Sequence, residues 1–505
     1  MWTSLKNLPL FLLLTGIGAL SMYVPAAHAL VLESHTEARA FFYSGTLFLL
    51  IVGLIALAQS ARQRKRGDMG NLLALFGCFT FLPVMLAVPF FEAVRTTTFL
   101  NAYVEMVSSL TTTGATLFDP QRLTDTQHLW RAQVGWMGGL VMWISAAAIL
   151  APLNLGGFEV TGSTEPGHSD GQDLGLGRAD PQKRILRVAA LLFPVYAGLT
   201  LALWIMLVIG GDGPLVSLCH AMSVMATSGI SPIGGAQNAQ SGLAGEAVLA
   251  LFMLFALSRL SFSGDTVTTA RRNVFQDSEF RLGLAIVLAV PLLLLLRHWV
   301  GFYDGAQTGS GVIEALRALW GGVFTTLSFL TTTGFYSADW DTAQLWSGLG
   351  SPGLILLGLA IVGGGVATTA GGVKLLRIWA LYLSGMRELE RMVHPSSVGR
   401  SGGVSRKIRK QGAYISWIFF MLFALTLSGF TVAFSGLGLS FENAIVLSVS
   451  ALSTTGPLVV LAPEQAISLT DLGDAAKLVF CAGMILGRLE LLAIIALLTS
   501  DVWRS

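Results

Sequence analysis

The chain has 505 residues, of which 53% are hydrophobic and only 12% are charged. A soluble domain usually carries about a quarter charged residues, so this composition excludes an ordinary soluble protein and reads as an integral membrane protein. The net charge of +2 says little by itself, and Cys78, Cys219 and Cys481 are too few and too widely spaced for a disulfide framework or a zinc site. They read as small buried hydrophobes.

Lys6, the apolar run from Leu8 and the Ala27-His28-Ala29 ending together imitate a secretory signal. The same run is long enough to cross a bilayer as a helix, and a retained helix is the favoured reading over a cleaved signal. Residues 41–58 form a second span, closed by Arg62, Arg64, Lys65 and Arg66. Such a basic cluster marks the cytoplasmic side. Residues 71–91 cross next, 101–110 form a shorter segment, and 134–153 return to a polar loop ending in Arg178, Lys183, Arg184 and Arg187.

That order then repeats. Residues 188–209, 282–300 and 415–434 cross outward; 215–226, 312–330 and 441–452 are the segments that follow them; 243–263, the stretch from Trp346 and 478–498 return. Before the last unit lies the most basic loop, with Lys374, Arg377, Arg387, Arg391, Arg400, Arg406, Lys407, Arg409 and Lys410.

Each segment of the second kind ends in a hydroxyl-hydroxyl-glycine signature. The four are Thr112-Thr113-Gly114, Thr227-Ser228-Gly229, Thr332-Thr333-Gly334 and Thr454-Thr455-Gly456, spaced at just over a hundred residues. A period of that regularity predicts four copies of one unit. The basic loops put every signature on the outer side. Two full crossings separate equivalent points, so the units run parallel, as they must to share an axis along the membrane normal. The expected fold is an all-α polytopic membrane protein with four parallel repeats (outward helix, pore half-helix, inward helix) around a central pore, plus two N-terminal helices. The expected boundaries are 1–67 for those two helices, then 68–187, 188–280, 281–411 and 412–505 for the repeats.

Irregular backbone at membrane depth is tolerable where it lines water or ions, or is buried in protein. Four such segments around one axis present carbonyl oxygens that replace an ion's hydration shell. Hydroxyl oxygens add ligands, and each half-helix aims its partially negative C-terminus at the ion path. No carboxylate ring for divalent ions is evident, so the chemistry suits a monovalent cation.

At these residues the chain resembles the Trk/Ktr/HKT superfamily of potassium transporters. The similarity runs from about residue 70 onward. It includes residues 105–116 (EMVSSLTTTGAT), 130–157 (WRAQVGWMGGLVMWISAAAILAPLNLGG), 363–377 (GGGVATTAGGVKLLR), 385–398 (GMRELERMVHPSSV) and 487–490 (GRLE). The two extra N-terminal helices look more like the Trk branch than the Ktr branch. The resemblance implies potassium uptake across a bacterial cytoplasmic membrane, with potassium held by Thr112, Thr113, Thr227, Ser228, Thr332, Thr333, Thr454 and Thr455. It makes Gly114, Gly229, Gly334 and Gly456 the selectivity-filter glycines, and Gly114 in the first signature implies potassium over sodium. It also implies a gate beneath the filter, formed by Gly363, Gly364, Gly365, Thr368, Thr369, Gly371 and Gly372 with Arg488 beside it. Ala367 and Ala370 stand where relatives tend to have glycine, and their methyls restrict that loop. A homodimer, surrounding lipid, and a cytoplasmic nucleotide-binding regulatory subunit docking on the basic loop at 374–410 are implied as partners, with no organic cofactor in this chain.

Within the third unit, the stretch from Trp346 to Glu388 is too long for one straight crossing, and 363–372 interrupts it near mid-membrane. Arg488 lies inside the last apolar span, where an arginine is costly enough to count as functional by default. A structural pair with Glu490 is the competing expectation. Glu105 and His220 each fall nine residues before a signature glycine and are expected to brace the half-helices.

The string 167–171 matches G-x-S-x-G but sits in a polar loop, without the strand-turn-helix context a hydrolase needs. No H-E-x-x-H, Walker A or C-x-x-C string is present, which leaves an enzyme as the weakest class. The stronger rival is a secondary transporter coupling potassium to sodium or protons, and the filter residues do not separate the two.

Overall fold

The computed structural model describes residues 8–59, 68–153, 155, 157–158, 181–258, 277–301, 312–394, 412–491 and 493–494. The basic residues at 62–66 and 400–410, and the G-x-S-x-G string, lie outside the described residues.

All regular structure among the described residues is helical. It begins with α1 (Leu10–Ser21), α2 (Tyr23–Val31), α3 (His35–Gln59) and α4 (Asp68–Val94). Next come α5 (Phe99–Leu110), α6 (Asp125–Ser145), α7 (Pro181–Ile209), α8 (Pro214–Ala226) and α9 (Gly242–Met253). Then follow α10 (Ser278–Gly301), α11 (Val312–Leu330), α12 (Trp340–Ser347), α13 (Gly353–Val362) and α14 (Leu375–Val393). The last are α15 (Ala413–Gly436), α16 (Phe441–Leu452), α17 (Leu458–Leu461) and α18 (Asp474–Leu489). Eight helical stretches among the described residues are long and apolar enough to cross a membrane.

Burial separates the helices that build the centre from those that face lipid. The apolar window of α6 is 67% buried, against 17% for α3 and 22% for α15. Leu47, Leu50, Leu54 and Leu57 of α3 and Leu425 and Val432 of α15 are exposed, as lipid-facing positions in a membrane bundle should be. No driving force exists to hide them when the surrounding solvent is hydrocarbon.

The N-terminal helices dock on α6 through polar contacts. Thr124 caps α6 in a capping box with Gln127, and Glu37 of α3 accepts from Thr124 Oγ1 at 2.9 Å and Gln127 Nε2 at 3.0 Å. His28 Nδ1 lies 3.0 Å from Thr126 Oγ1, and Gln133 Nε2 donates to Ser21 O at 2.8 Å. These pairings align α6 against the bundle and so orient the face it presents to α5 and α8.

The inward segment of the third unit starts later than expected. Trp346 belongs to the separate helix α12, which ends at Gly348 in the left-handed conformation, φ +59°. Pro352 then follows, and the membrane helix proper begins at Gly353. A left-handed glycine cap and a following proline are both chain terminators for a helix, which is why one apolar-looking stretch becomes two elements. The interruption expected at 363–372 is present, with α13 ending at Val362 and α14 starting at Leu375.

Candidate functional site

Helices α5, α8, α11 and α16 each run directly into a signature, and all four chains turn the same way. Thr112, Thr227, Thr332 and Thr454 have φ of +55°, +50°, +56° and +54°. Left-handed backbone is rare for any L-residue and a genuine outlier for a β-branched one. The turn is held by one repeated bond: the N–H of Thr113, Ser228, Thr333 and Thr455 reaches back to the carbonyl of Ser108, Ser223, Ser328 and Ser450 at 2.8–2.9 Å. This is the closure of a Schellman-type helix end, with threonine where glycine usually sits.

A serine therefore stands six residues before each glycine, a regularity the signature reading passed over. Ser108 Oγ donates to Ala115 O at 2.6 Å and Ser450 Oγ to Thr455 O at 3.0 Å. Ser223 Oγ accepts from Ser228 Oγ at 3.2 Å. These three serine hydroxyls tie the non-helical segments to the helix ends that carry them, whereas the Ser328 hydroxyl has no partner.

The four signatures touch in cyclic order. A Cβ added at Gly114 would overlap the carbonyl oxygen of Ser228, and one at Gly229 would overlap that of Thr333. One at Gly334 would meet Pro457 Cγ at 2.7 Å, and one at Gly456 would overlap the backbone of Gly114 and Ala115. First faces second, second third, third fourth, and fourth first. Closing the ring, Gly456 N donates to Thr113 O at 2.6 Å. Gly114, Gly229 and Gly334 have φ of +72°, +66° and +84°, whereas Gly456 does not adopt positive φ. Pro457 explains the exception, since a residue before proline is pushed into extended backbone. The ring is three alike and one different.

The eight hydroxyls expected to face an ion divide into two sets. Those of the second position turn inward on their own segments: Thr113 Oγ1 bonds Thr111 Oγ1 at 2.8 Å, Thr333 Oγ1 bonds Thr331 Oγ1 at 3.0 Å, and Thr455 Oγ1 accepts from Ser453 Oγ at 3.2 Å. In the second signature the partner position is Ala226, so Ser228 turns to Ser223 instead. The first-position hydroxyls are freer. Thr112 Oγ1 and Thr454 Oγ1 are fully buried with no hydrogen-bond partner, an arrangement that costs free energy unless something oxygen-seeking binds there. Thr227 Oγ1 donates to Ala226 O at 2.8 Å, and Thr332 Oγ1 accepts from Gly371 N at 2.8 Å.

That last contact belongs to the 363–374 loop, which packs directly against the ring. Thr369 Oγ1 donates to Met225 O at 3.3 Å, and a Cβ at Gly371 would overlap Ser453 O and Thr454 Oγ1. The loop is pinned at its base by Gly365 N to Ala256 O at 2.9 Å, Val366 N to Glu279 Oε1 at 3.2 Å, and Val373 N to Ile361 O at 2.9 Å. Gly363, Gly364 and Gly372 have neighbours on every side where a Cβ would project, and Thr368 Oγ1 closes on Gly365 O at 2.7 Å. A cavity of about 20 Å³, room for one water, lies between the second signature and this loop, lined by Trp143, Tyr196, Thr227, Thr368 and Thr369.

Arg488 is 3% exposed and donates through Nη1 to Thr369 O at 2.5 Å, while its Nε and Nη2 have no partner. The competing expectation, a pairing with Glu490, does not form. Glu490 instead meets Arg377 at 2.8 Å, and the Arg377 guanidinium also lies 3.7 Å from the Phe419 ring centroid. Chain direction is the reason: α18 ends at Leu489 and Glu490 has φ +60°, so its carboxylate swings away from the neighbouring arginine. The basic loop is corrected with it. Lys374 and Arg377 are buried at 5% and 0% exposure, Lys374 Nζ donates to Ala370 O, and neither belongs to a surface on which a partner could dock.

Glu105 and His220 brace as expected. Glu105 pairs with Arg131 at 2.6 Å and accepts from Leu117 N at 3.0 Å, and His220 Nε2 lies 2.8 Å from Ser231 Oγ. Cys78, Cys219 and Cys481 are buried.

The fold is that of a multi-pass, all-helical membrane protein. Residues 275–502 match the TrkH family, described as a cation transport protein. The chain is 29% identical over 516 residues to the Trk system potassium uptake protein TrkH of Vibrio parahaemolyticus, covering 98% of each. It is 28% identical over 498 residues to TrkI of Halomonas elongata, covering 96% of this chain and 94% of that one. It is 27% identical over 504 residues to TrkG of Escherichia coli, covering 97% of each. The crystal structure of the potassium transporter TrkH from Vibrio parahaemolyticus superposes with a TM-score of 0.78 at 25% identity, over 99% of both chains. The chain is similar over nearly its whole length to Trk system potassium uptake proteins, and the eight long apolar helices among its described residues make it a membrane protein.

Proposed function

We propose that this chain takes up potassium through a selectivity filter built from its four signatures, with four parallel repeats at 68–187, 188–280, 281–411 and 412–505 around one pore. The observation that carries the reading is the set of four left-handed threonines, Thr112, Thr227, Thr332 and Thr454, in a closed cyclic contact. Strain repeated at equivalent positions belongs where backbone geometry is the working part.

Backbone carbonyls, those of Thr227 and Thr332 included, and the unpartnered hydroxyls of Thr112 and Thr454 supply hard oxygen ligands in place of water. The second-position residues, Thr113, Ser228, Thr333 and Thr455, act through their carbonyls, because their hydroxyls are already engaged. Helices α5, α8, α11 and α16 point their C-termini at the ring and add negative potential. The first signature carries Gly114, which favours potassium over sodium.

Below the filter, the 363–374 loop acts as the gate and Arg488 as its electrostatic guard. A buried guanidinium with unpartnered N–H groups repels a cation until it is displaced. A nucleotide-binding regulatory subunit docks on the cytoplasmic end of α14, whose partly buried Arg387 and exposed Arg391 pair with Glu390 and Glu388, and a second copy of the chain completes a homodimer in lipid.

The test is potassium-limited growth of transport-deficient bacteria expressing this chain with a suitable regulatory subunit, alongside radioactive rubidium uptake. Growth and rubidium entry are expected. A chain that reaches the membrane and restores neither would overturn the reading.

A further inference from the structure

In the first three units the residue nine positions before the signature glycine reaches forward to brace the segment leaving the signature, whereas the fourth unit has the apolar Leu447 at that place. In the first unit it is Glu105, holding Leu117 N, and in the second it is His220, against Ser231. The third unit has Thr325 there, and its hydroxyl makes one long bond, accepting from Ser337 N at 3.3 Å. A single neutral bond at that length is a weak tie compared with a carboxylate.

The missing carboxylate comes from elsewhere. Glu246 of α9 is 4% exposed and uses both oxygens on the third unit. Oε1 accepts from Ala338 N at 2.7 Å, and Oε2 accepts from Ser337 Oγ at 2.7 Å and Trp320 Nε1 at 2.8 Å. Ser337 Oγ in turn accepts from Asp339 N at 3.1 Å. The chain leaving Gly334 is thus fastened, within a few residues, to a charged group on a helix of the preceding unit.

We infer that Glu246 is a positioning residue for the third signature, replacing from the neighbouring unit the brace that Glu105 supplies within the first. Its ion-pathway consequence rests on the filter reading above; the brace itself does not. Charge-assisted bonds to two successive residues fix where the Gly334 segment runs. That segment meets Pro457 and the Thr333 carbonyl meets Gly229, so its position sets the spacing between the third signature and both of its neighbours. Ion discrimination depends on that spacing, or on the field of the carbonyls it sets. The second and third units are therefore mechanically joined on the outer side.

The experiment uses the full chain in membranes with its regulatory partner and reads the rubidium-to-sodium uptake ratio and amide hydrogen exchange of residues 335–340. Glu246→Ala is expected to lower the ratio about tenfold, as three donors lose their acceptor, and to speed exchange in 335–340. Glu246→Gln, which keeps the shape and one carbonyl acceptor, should fall between. Adding Thr325→Glu to Glu246→Ala places a carboxylate at the position Glu105 occupies in the first unit, and should restore both readouts. If Glu246→Ala does not accumulate in the membrane, Glu246→Gln and its pairing with Thr325→Glu carry the same comparison. Unchanged exchange and an unchanged ratio in the single variants, or no restoration by Thr325→Glu, would overturn the proposal. If the wild type moves neither ion, the filter reading fails, and exchange in 335–340 still decides whether Glu246 is the brace.

Discussion

The backbone N–H of Gly456 donates to the carbonyl oxygen of Thr113 at 2.6 Å, so the last signature of the chain closes on the first. Gly456 needs no left-handed backbone, unlike the other three glycines. It is glycine because a side chain would occupy the same space as Ala115.

Gly456→Ala and Gly114→Ser should therefore both abolish most uptake, for different reasons. Gly114 suffers a conformational and a steric penalty together, Gly456 a steric one only. Rubidium uptake is expected to fall more than tenfold in each, with Gly114→Ser also shifting the rubidium-to-sodium ratio towards sodium. Normal rate and ratio for Gly114→Ser would remove the first signature from the filter.

The Arg377–Glu490 pair is a structural tie between α14 and the end of α18. Glu490→Ala leaves a buried guanidinium without its carboxylate, an arrangement that costs about 3–5 kcal/mol. The melting temperature of the detergent-solubilised protein should drop clearly. Replacing both partners with apolar residues of similar volume should recover part of the loss, because the remaining charge is then gone. A melting temperature insensitive to Glu490→Ala would mean that water reaches Arg377.

Arg488→Ala should raise basal rubidium flux in the absence of the regulatory subunit. The substitution removes the hydrogen bond to Thr369 and the positive charge near the ion path at once. Arg488→Gln separates them, since it keeps a donor for the Thr369 carbonyl and loses the charge. Equal flux in Arg488→Gln and Arg488→Ala would assign the barrier to charge. Wild-type flux in both would take Arg488 out of gating.

Ala367 has φ +57°, a conformation that costs an alanine about 1 kcal/mol and glycine almost nothing. Ala367→Gly widens the range of backbone shapes open to the 363–374 loop. Basal flux should rise severalfold, and less than in Arg488→Ala, since the charge stays in place. Flux identical to wild type would show that the methyl at 367 does not restrain the loop.

Some of this protein was legible from the chain alone, because the signals were local. An apolar, charge-poor composition has one ordinary solvent, the bilayer, and the helix-signature-glycine order repeats in strings short enough to read directly. The break after Val362 was legible for the same reason, since the run of glycines cannot continue a helix. Other features were not. The left-handed threonines break the usual rule for their residue type, and they persist because Schellman-type bonds to Ser108, Ser223, Ser328 and Ser450 hold them. Tertiary structure alone decided that Glu490 serves Arg377 rather than Arg488, that Lys374 and Arg377 are buried rather than displayed, and that Glu246 reaches into the next unit. Each outcome depends on where side chains from distant segments meet in three dimensions. Residue spacing along one chain records which groups are available; only packing decides which of them come within hydrogen-bond reach.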